Sequence, residues 1–105
     1  MPYRVVLTPT ARDMLAGIRD RRLRRQILTR MHALQQHPKS IGKPLIGELA
    51  RCYSLRVAAQ RYRVIYTVAD DTLVVLVIAI GIRQAGQRRD IYEVARRLIR
   101  NRLLE

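Results

Sequence analysis

Residues 53–81 hold three β-like runs in succession, and the last is apolar at nearly every position. The runs are carried by "YSLRV", "YRVIYTVA" and "LVVLVIAIGI". A strand with apolar side chains on both faces needs cover on both, so residues of about 73–81 are expected at the centre of a sheet. The connections "AAQR" (58–61) and "DDT" (70–72) are too short for anything but hairpins. The segment therefore predicts an antiparallel meander with strands at about 52–57, 62–69 and 73–81.

The flanking segments supply a fourth strand and three helices. "YRVVL" (3–7) reads as a short strand, and Thr8-Pro9 reads as an N-cap followed by proline at the first helical position. Ala11, Met14, Leu15 and Ile18 recur with helical spacing, a break is expected at "GIRD" (17–20), and a second helix runs from about Asp20 to Gln36. Its apolar stripe is Leu23, Ile27, Met31 and Leu34, with most of its arginines turned away. Pro38 stops it, and "HPKSIGKP" (37–44) reads as a loop. Asp90 is expected to cap a last helix over 91–104, with Ile91, Val94, Leu98 and the stem of Arg102 on its stripe. The order is β-α-α-β-β-β-α. The expected class is α+β, a mostly antiparallel four-stranded sheet with a helix pair on one face. The other face is left partly open or overlain by the last helix. With 105 residues and no linker or repeat, residues 1–105 form a single domain.

Two arginines disturb the meander. Folding "YSLRVAAQRYRVIY" symmetrically about "AAQR" sets Val57 against Tyr62, Arg56 against Arg63 and Leu55 against Val64. Tyr53, Leu55, Val57, Tyr62, Val64, Tyr66 and Val68 then share the core face, and Ser54, Arg56, Arg63, Ile65 and Thr67 the other. Like charges opposite each other destabilise a sheet. An exposed edge would tolerate them through screening, whereas an anion held between them would turn repulsion into chelation. Arg83, two residues past Gly81, is the next candidate. A two-residue turn at Asp70-Asp71 points it away from Arg56 and Arg63; a three-residue turn, or a bulge at Gly81, brings it onto their face.

The charge balance makes an anionic partner the natural reading. There are 21 basic residues against 8 acidic ones, a net charge of +13, and all but two of the basic residues are arginine. The arginine fork suits phosphate oxygens and stacks on bases, so nucleic acid or an acidic protein is expected. A single cysteine excludes an internal disulfide and suits a reducing compartment. "MPYRVVL" has no apolar stretch after a basic head, and residues 73–82 are too few to span a bilayer as a helix, so no membrane association and a cytoplasmic location are expected.

In this order and spacing, "YRVIY", the "DD" turn, the apolar strand ending in "GIR", and "RDIY" resemble the RelE/ParE superfamily of type II toxins, over nearly the whole chain. The resemblance implies a toxin that cleaves mRNA at the ribosome in the RelE-like case, and a cognate antitoxin that restrains it. It implies that Arg56 contacts the scissile phosphate, that Arg63 stabilises the transition state, that Arg83 stabilises it too or acts as general acid, and that Tyr92 orients the 2′-hydroxyl, deprotonates it or stacks on a base. Ser54, Arg61, Arg88 and Arg89 are the further RNA-binding positions it suggests. Two departures from RelE stand out: Ser54 replaces a lysine, and the segment between Arg83 and Tyr92 is about two residues longer. The alternatives are a ParE-like inhibitor of DNA gyrase without ribonuclease chemistry, and an inactive homologue that only binds its antitoxin.

The other reactive side chains carry bland readings. His32 and His37 belong to the second helix and its end, away from the arginine face. Cys52 reads as a buried structural thiol and Asp70-Asp71 as a turn. No cluster suggests a metal or cofactor, and no carboxylate is expected to oppose the three arginines.

Overall fold

The computed structural model describes residues 2–59 and 61–103, with backbone alone for 102 and 103, so the expected part of the Arg102 stem lies outside the described side chains. The strands are β1 (Arg4–Leu7), β2 (Lys43–Pro44), β3 (Tyr53–Val57), β4 (Tyr62–Ala69) and β5 (Val74–Ile82). The helices are α1 (Pro9–Ala16), α2 (Arg21–His32), α3 (Pro38–Ile41) and α4 (Ile91–Leu103). The strands form one sheet in the order β1-β5-β4-β3-β2. β5 sits between β1 and β4, as a strand apolar on both faces must; it runs parallel to β1 and antiparallel to β4.

Local chemistry sets the helix ends. The Thr8 hydroxyl accepts from the Ala11 N–H and Pro9 opens α1, while Gly17 ends it. The Asp20 carboxylate accepts from the N–H groups of Arg22 and Leu23, so α2 starts at once after the break. α2 gives way to a single 3-10 turn at Ala33–Gln35, inside the expected span.

The segment expected as a loop at 37–44 is structured, and it adds a fifth strand to the expected four. His37 adopts a left-handed conformation (φ 54°) that reverses the chain, and Pro38 then begins α3 instead of only ending α2. The Tyr66 hydroxyl donates to the Pro38 carbonyl at 2.6 Å. A Cβ at Gly42 would come within 2.0 Å of that hydroxyl oxygen, so glycine is what lets the chain pass. Lys43 and Pro44 then pair with Ser54 and Tyr53 as the edge strand. A proline suits an edge, where its missing N–H is not needed by a further strand.

The core has two layers, one on each face of the sheet. Ala11, Ile27, Met31 and Leu34 of the helical segments pack on Leu55, Val64, Tyr66 and Val77. On the other face, Ile91 and Ala95 of α4 pack on Ile65, Ile78 and Ala79. That second face is therefore covered by the last helix, and α4 lies directly over the strands that carry the arginines.

Candidate functional site

The β3–β4 hairpin has the register its sequence predicts: Val57 opposite Tyr62, Arg56 opposite Arg63, Leu55 opposite Val64. Tyr53, Tyr62 and Tyr66 belong to the helix-pair face, where Tyr53 and Tyr66 stack with ring centroids 5.5 Å apart. On the α4 face Arg56 is exposed, while Arg63 is only 9 % exposed and donates through Nη1 to its neighbour's carbonyl, Tyr62 O, at 3.2 Å.

A bulge decides the side on which Arg83 stands. Ala69 pairs with Val74, so four residues connect β4 and β5, a number with the same parity as a two-residue turn. Left uninterrupted, that register would send Arg83 to the helix-pair face. Between the pairs Tyr66–Val77 and Ile65–Ala79, however, β5 contains one additional residue, Ile78. Beyond this bulge Arg63 pairs with Gly81, and the Arg83 N–H donates to the Arg61 carbonyl at 2.8 Å. Alternation from Gly81 puts Arg83 on the face of Arg56 and Arg63. The bulge does the work foreseen for one at Gly81, three residues earlier; both Ile78 and Ala79 turn toward α4.

Gly81 has a separate task. A Cβ there would lie 2.8 Å from Ile91 Cδ1, so its absence lets the first turn of α4 descend onto the sheet beside Arg63. That turn carries Tyr92. Its hydroxyl donates to Ser54 Oγ on β3 at 3.0 Å, and the Arg83 guanidinium carbon lies 4.3 Å from its ring centroid, a cation–π contact. Ser54 thus helps to hold Tyr92. It is buried, as Arg56, two residues along the same face, is not.

The residue whose part the sequence did not reveal is Asp90. It precedes α4, and the Val94 N–H donates to its main-chain carbonyl, as an N-cap residue's carbonyl accepts. Its carboxylate, however, is 1 % exposed, ion-paired with Arg83 Nη1, and accepts from the Gln84 N–H at 2.5 Å. The expectation that no carboxylate opposes the arginines is therefore corrected. An aspartate before a helix satisfies the cap reading and the ion-pair reading alike, so sequence could not separate them. The pair fixes Arg83 against Tyr92 and closes the loop from 84 to 90.

The remaining candidates are peripheral. Arg61 is exposed in the β3–β4 turn, and Arg88 and Arg89 are exposed in the loop before α4, with the Arg88 carbonyl accepting from Arg97 Nη1 at 3.3 Å. His32 and His37 are exposed on the helix-pair side. Cys52 is buried under α4, and burial pushes its thiol above the ordinary range, away from the thiolate a nucleophile needs.

The geometry accords with what known proteins resemble this chain. Residues 5–85 match the family model described as the ParE toxin of the type II toxin–antitoxin system parDE. Toxin RelG of Mycobacterium tuberculosis is 34 % identical over 92 residues, spanning 88 % of this chain and 98 % of that one. In the solved structures, the toxin–antitoxin complex RelBE2 from the same organism contains a chain 31 % identical, with a TM-score of 0.71, covering 79 % of this chain and 100 % of that one. A double-arginine variant of E. coli RelE in the free state has the same fold, with a TM-score of 0.74 at 22 % identity over 95 % of this chain and 98 % of that one. By model match, by sequence identity and by fold, the chain belongs to the RelE/ParE superfamily of toxins from type II toxin–antitoxin systems.

Proposed function

We propose that this toxin is an endoribonuclease that cuts mRNA at the ribosome. The carrying observation is the gathering of Arg56, Arg63 and Arg83 on one face of β3, β4 and β5, with Tyr92 above them and stacked on Arg83. In this reading a phosphodiester enters between Arg56 and Arg63. The 2′-oxygen of the preceding ribose attacks phosphorus as the bond to the 5′-oxygen breaks, leaving a 2′,3′-cyclic phosphate and a 5′-hydroxyl. The 2′-hydroxyl gives up its proton and the departing oxygen receives one. Charge accumulates on the five-coordinate phosphorus centre, and fixed guanidinium groups stabilise it there more than in the starting phosphate. Tyr92, held by Ser54 and Arg83, orients the 2′-hydroxyl. The surrounding RNA completes the proton transfers, which fits a dependence on the ribosome.

A cognate antitoxin is part of the same proposal, since RelBE2 of M. tuberculosis is a toxin–antitoxin complex. A cytoplasmic site of action follows from a ribosomal target; among the described residues no helix is long and apolar enough to cross a membrane. The match to a ParE model favours a second reading, with DNA gyrase as the target.

Induction of the protein, with message 5′ ends mapped and DNA breaks followed in parallel, separates the two. Ribosome-phased cuts are expected. Gyrase-linked double-strand breaks without message cuts would replace this reading with the second. Arg56→Ala, at an exposed position, should lower the cutting rate by about 100-fold with antitoxin binding intact; full cutting by that variant removes Arg56 from the mechanism.

A further inference from the structure

A broad cavity among the described residues lies beside the arginine face. It occupies about 650 Å³ between α2 and the free edge of β3, and Arg22, Arg25, Arg30 and Arg56 line it together with Gln26 and Thr29. None of the described residues that line it is acidic. Positions 22, 25, 26, 29 and 30 fall on one side of α2 by helical spacing, so the helix presents a stripe of cations and hydrogen-bonding groups to the opening. β2 pairs with Tyr53 and Ser54, and among the described residues no strand pairs with the outer edge of β3 at Arg56 and Val57. Arg56 therefore belongs to both places. It stands opposite Arg63 on the α4 face, and it lines the groove that rounds the sheet edge toward α2.

We propose that this groove holds the backbone of the same RNA strand whose scissile phosphate lies between Arg56 and Arg63. The proposal rests on the ribonuclease reading and extends it from one phosphate to a strand path. Arginine forks bind phosphate oxygens in pairs, and the Gln26 amide and Thr29 hydroxyl supply neutral partners for phosphate and ribose. A path with this chemistry reads charge and spacing, with no base edge required, so it tolerates any sequence. Charge complementarity favours RNA over an apolar peptide, and continuity through Arg56 favours the substrate strand over an unrelated one.

The test uses 2′-O-methyl RNA, which cannot be cut, so binding is measured apart from cleavage. Two probes are compared with the full-length protein: a trinucleotide, and a single strand of about twelve nucleotides. The variant Arg22→Gln/Arg25→Gln/Arg30→Gln removes charge from exposed groove positions. Arg4→Gln/Arg12→Gln/Arg19→Gln removes the same charge from β1, α1 and the turn between α1 and α2, at exposed positions that do not line the groove. The groove variant should bind the longer strand about tenfold more weakly at low salt, with the slope of log affinity against log salt shallower by about 2. Trinucleotide binding should not change, and the control variant should match wild type. Equal losses in both variants would reduce the groove to general charge and overturn the proposal. So would unchanged binding of the longer strand, whether or not the groove variant loses antitoxin or ribosome affinity. Failure of wild type to bind either probe overturns it as well. Wild type that binds both probes but cuts no unmodified message on ribosomes would refute the catalytic reading alone.

Discussion

At the scale of single residues, Asp90 carries the heaviest local constraint. Its carboxylate is buried and satisfied by Arg83 and the Gln84 N–H. Asp90→Asn keeps the shape and removes the charge, leaving Arg83 without its ion pair and weakening the tie to residue 84. We predict a loss of about 1–3 kcal/mol in denaturant unfolding, accompanied by loosening of Tyr92 that lowers cutting more than antitoxin binding. An unchanged unfolding midpoint would mean that the pair contributes nothing to the fold. The facing of Arg56 and Arg63 was legible in the sequence, because apolar alternation on either side of a short turn admits one register. The part played by Asp90 was not, because its partner Arg83 follows a strand whose facing depended on a bulge.

At the scale of elements, α4 joins the cover of the sheet to the chemistry on it. Ile91 and Ala95 bury against Ile65, Ile78 and Ala79, while Tyr92, one position along, reaches Ser54. Farther along, Arg100 makes a two-pronged contact with Glu48 at the surface, which adds little beyond orientation. Docking therefore rests on the apolar stripe, with Ile91 and Ala95 buried and Val94, Leu98 and Ile99 packed against the same cluster. Ile91→Ala should cost about 2–4 kcal/mol and release α4 before the sheet opens. Hydrogen exchange would show faster exchange across 91–99 with β4 and β5 still protected; uniform acceleration would show that α4 is no separate unit. The existence and order of the main elements were readable from period and capping. The α3–β2 segment was not, since it is shaped by the Tyr66–Pro38 hydrogen bond and the Gly42 passage, both tertiary.

At the scale of the whole molecule, a chain of net charge +13 folds around a neutral, buried phenol. Burial pushes Tyr66 up from 10.0 to about 12, and its hydroxyl ties β4 to α3. The folded state holds this proton more tightly than the unfolded chain, so the contribution to stability is fully present below pH 10. It is lost as pH rises toward 12. Thermal unfolding should fall across that window, and the fall should be smaller in Tyr66→Phe; identical alkaline profiles would show that Tyr66 is not the group responsible. Fold and function also meet in the extra residue of β5. Delete one amino acid from that run and composition, length and β-character would hardly change, and every motif would survive on paper. Yet beyond the deletion inside and outside would exchange places, and Arg83 would be delivered among the packed side chains of α1 and α2. Two relatives carrying the same letters in the same order can thus differ in whether they own a reactive surface at all, according to whether the count of residues between their motifs is odd or even.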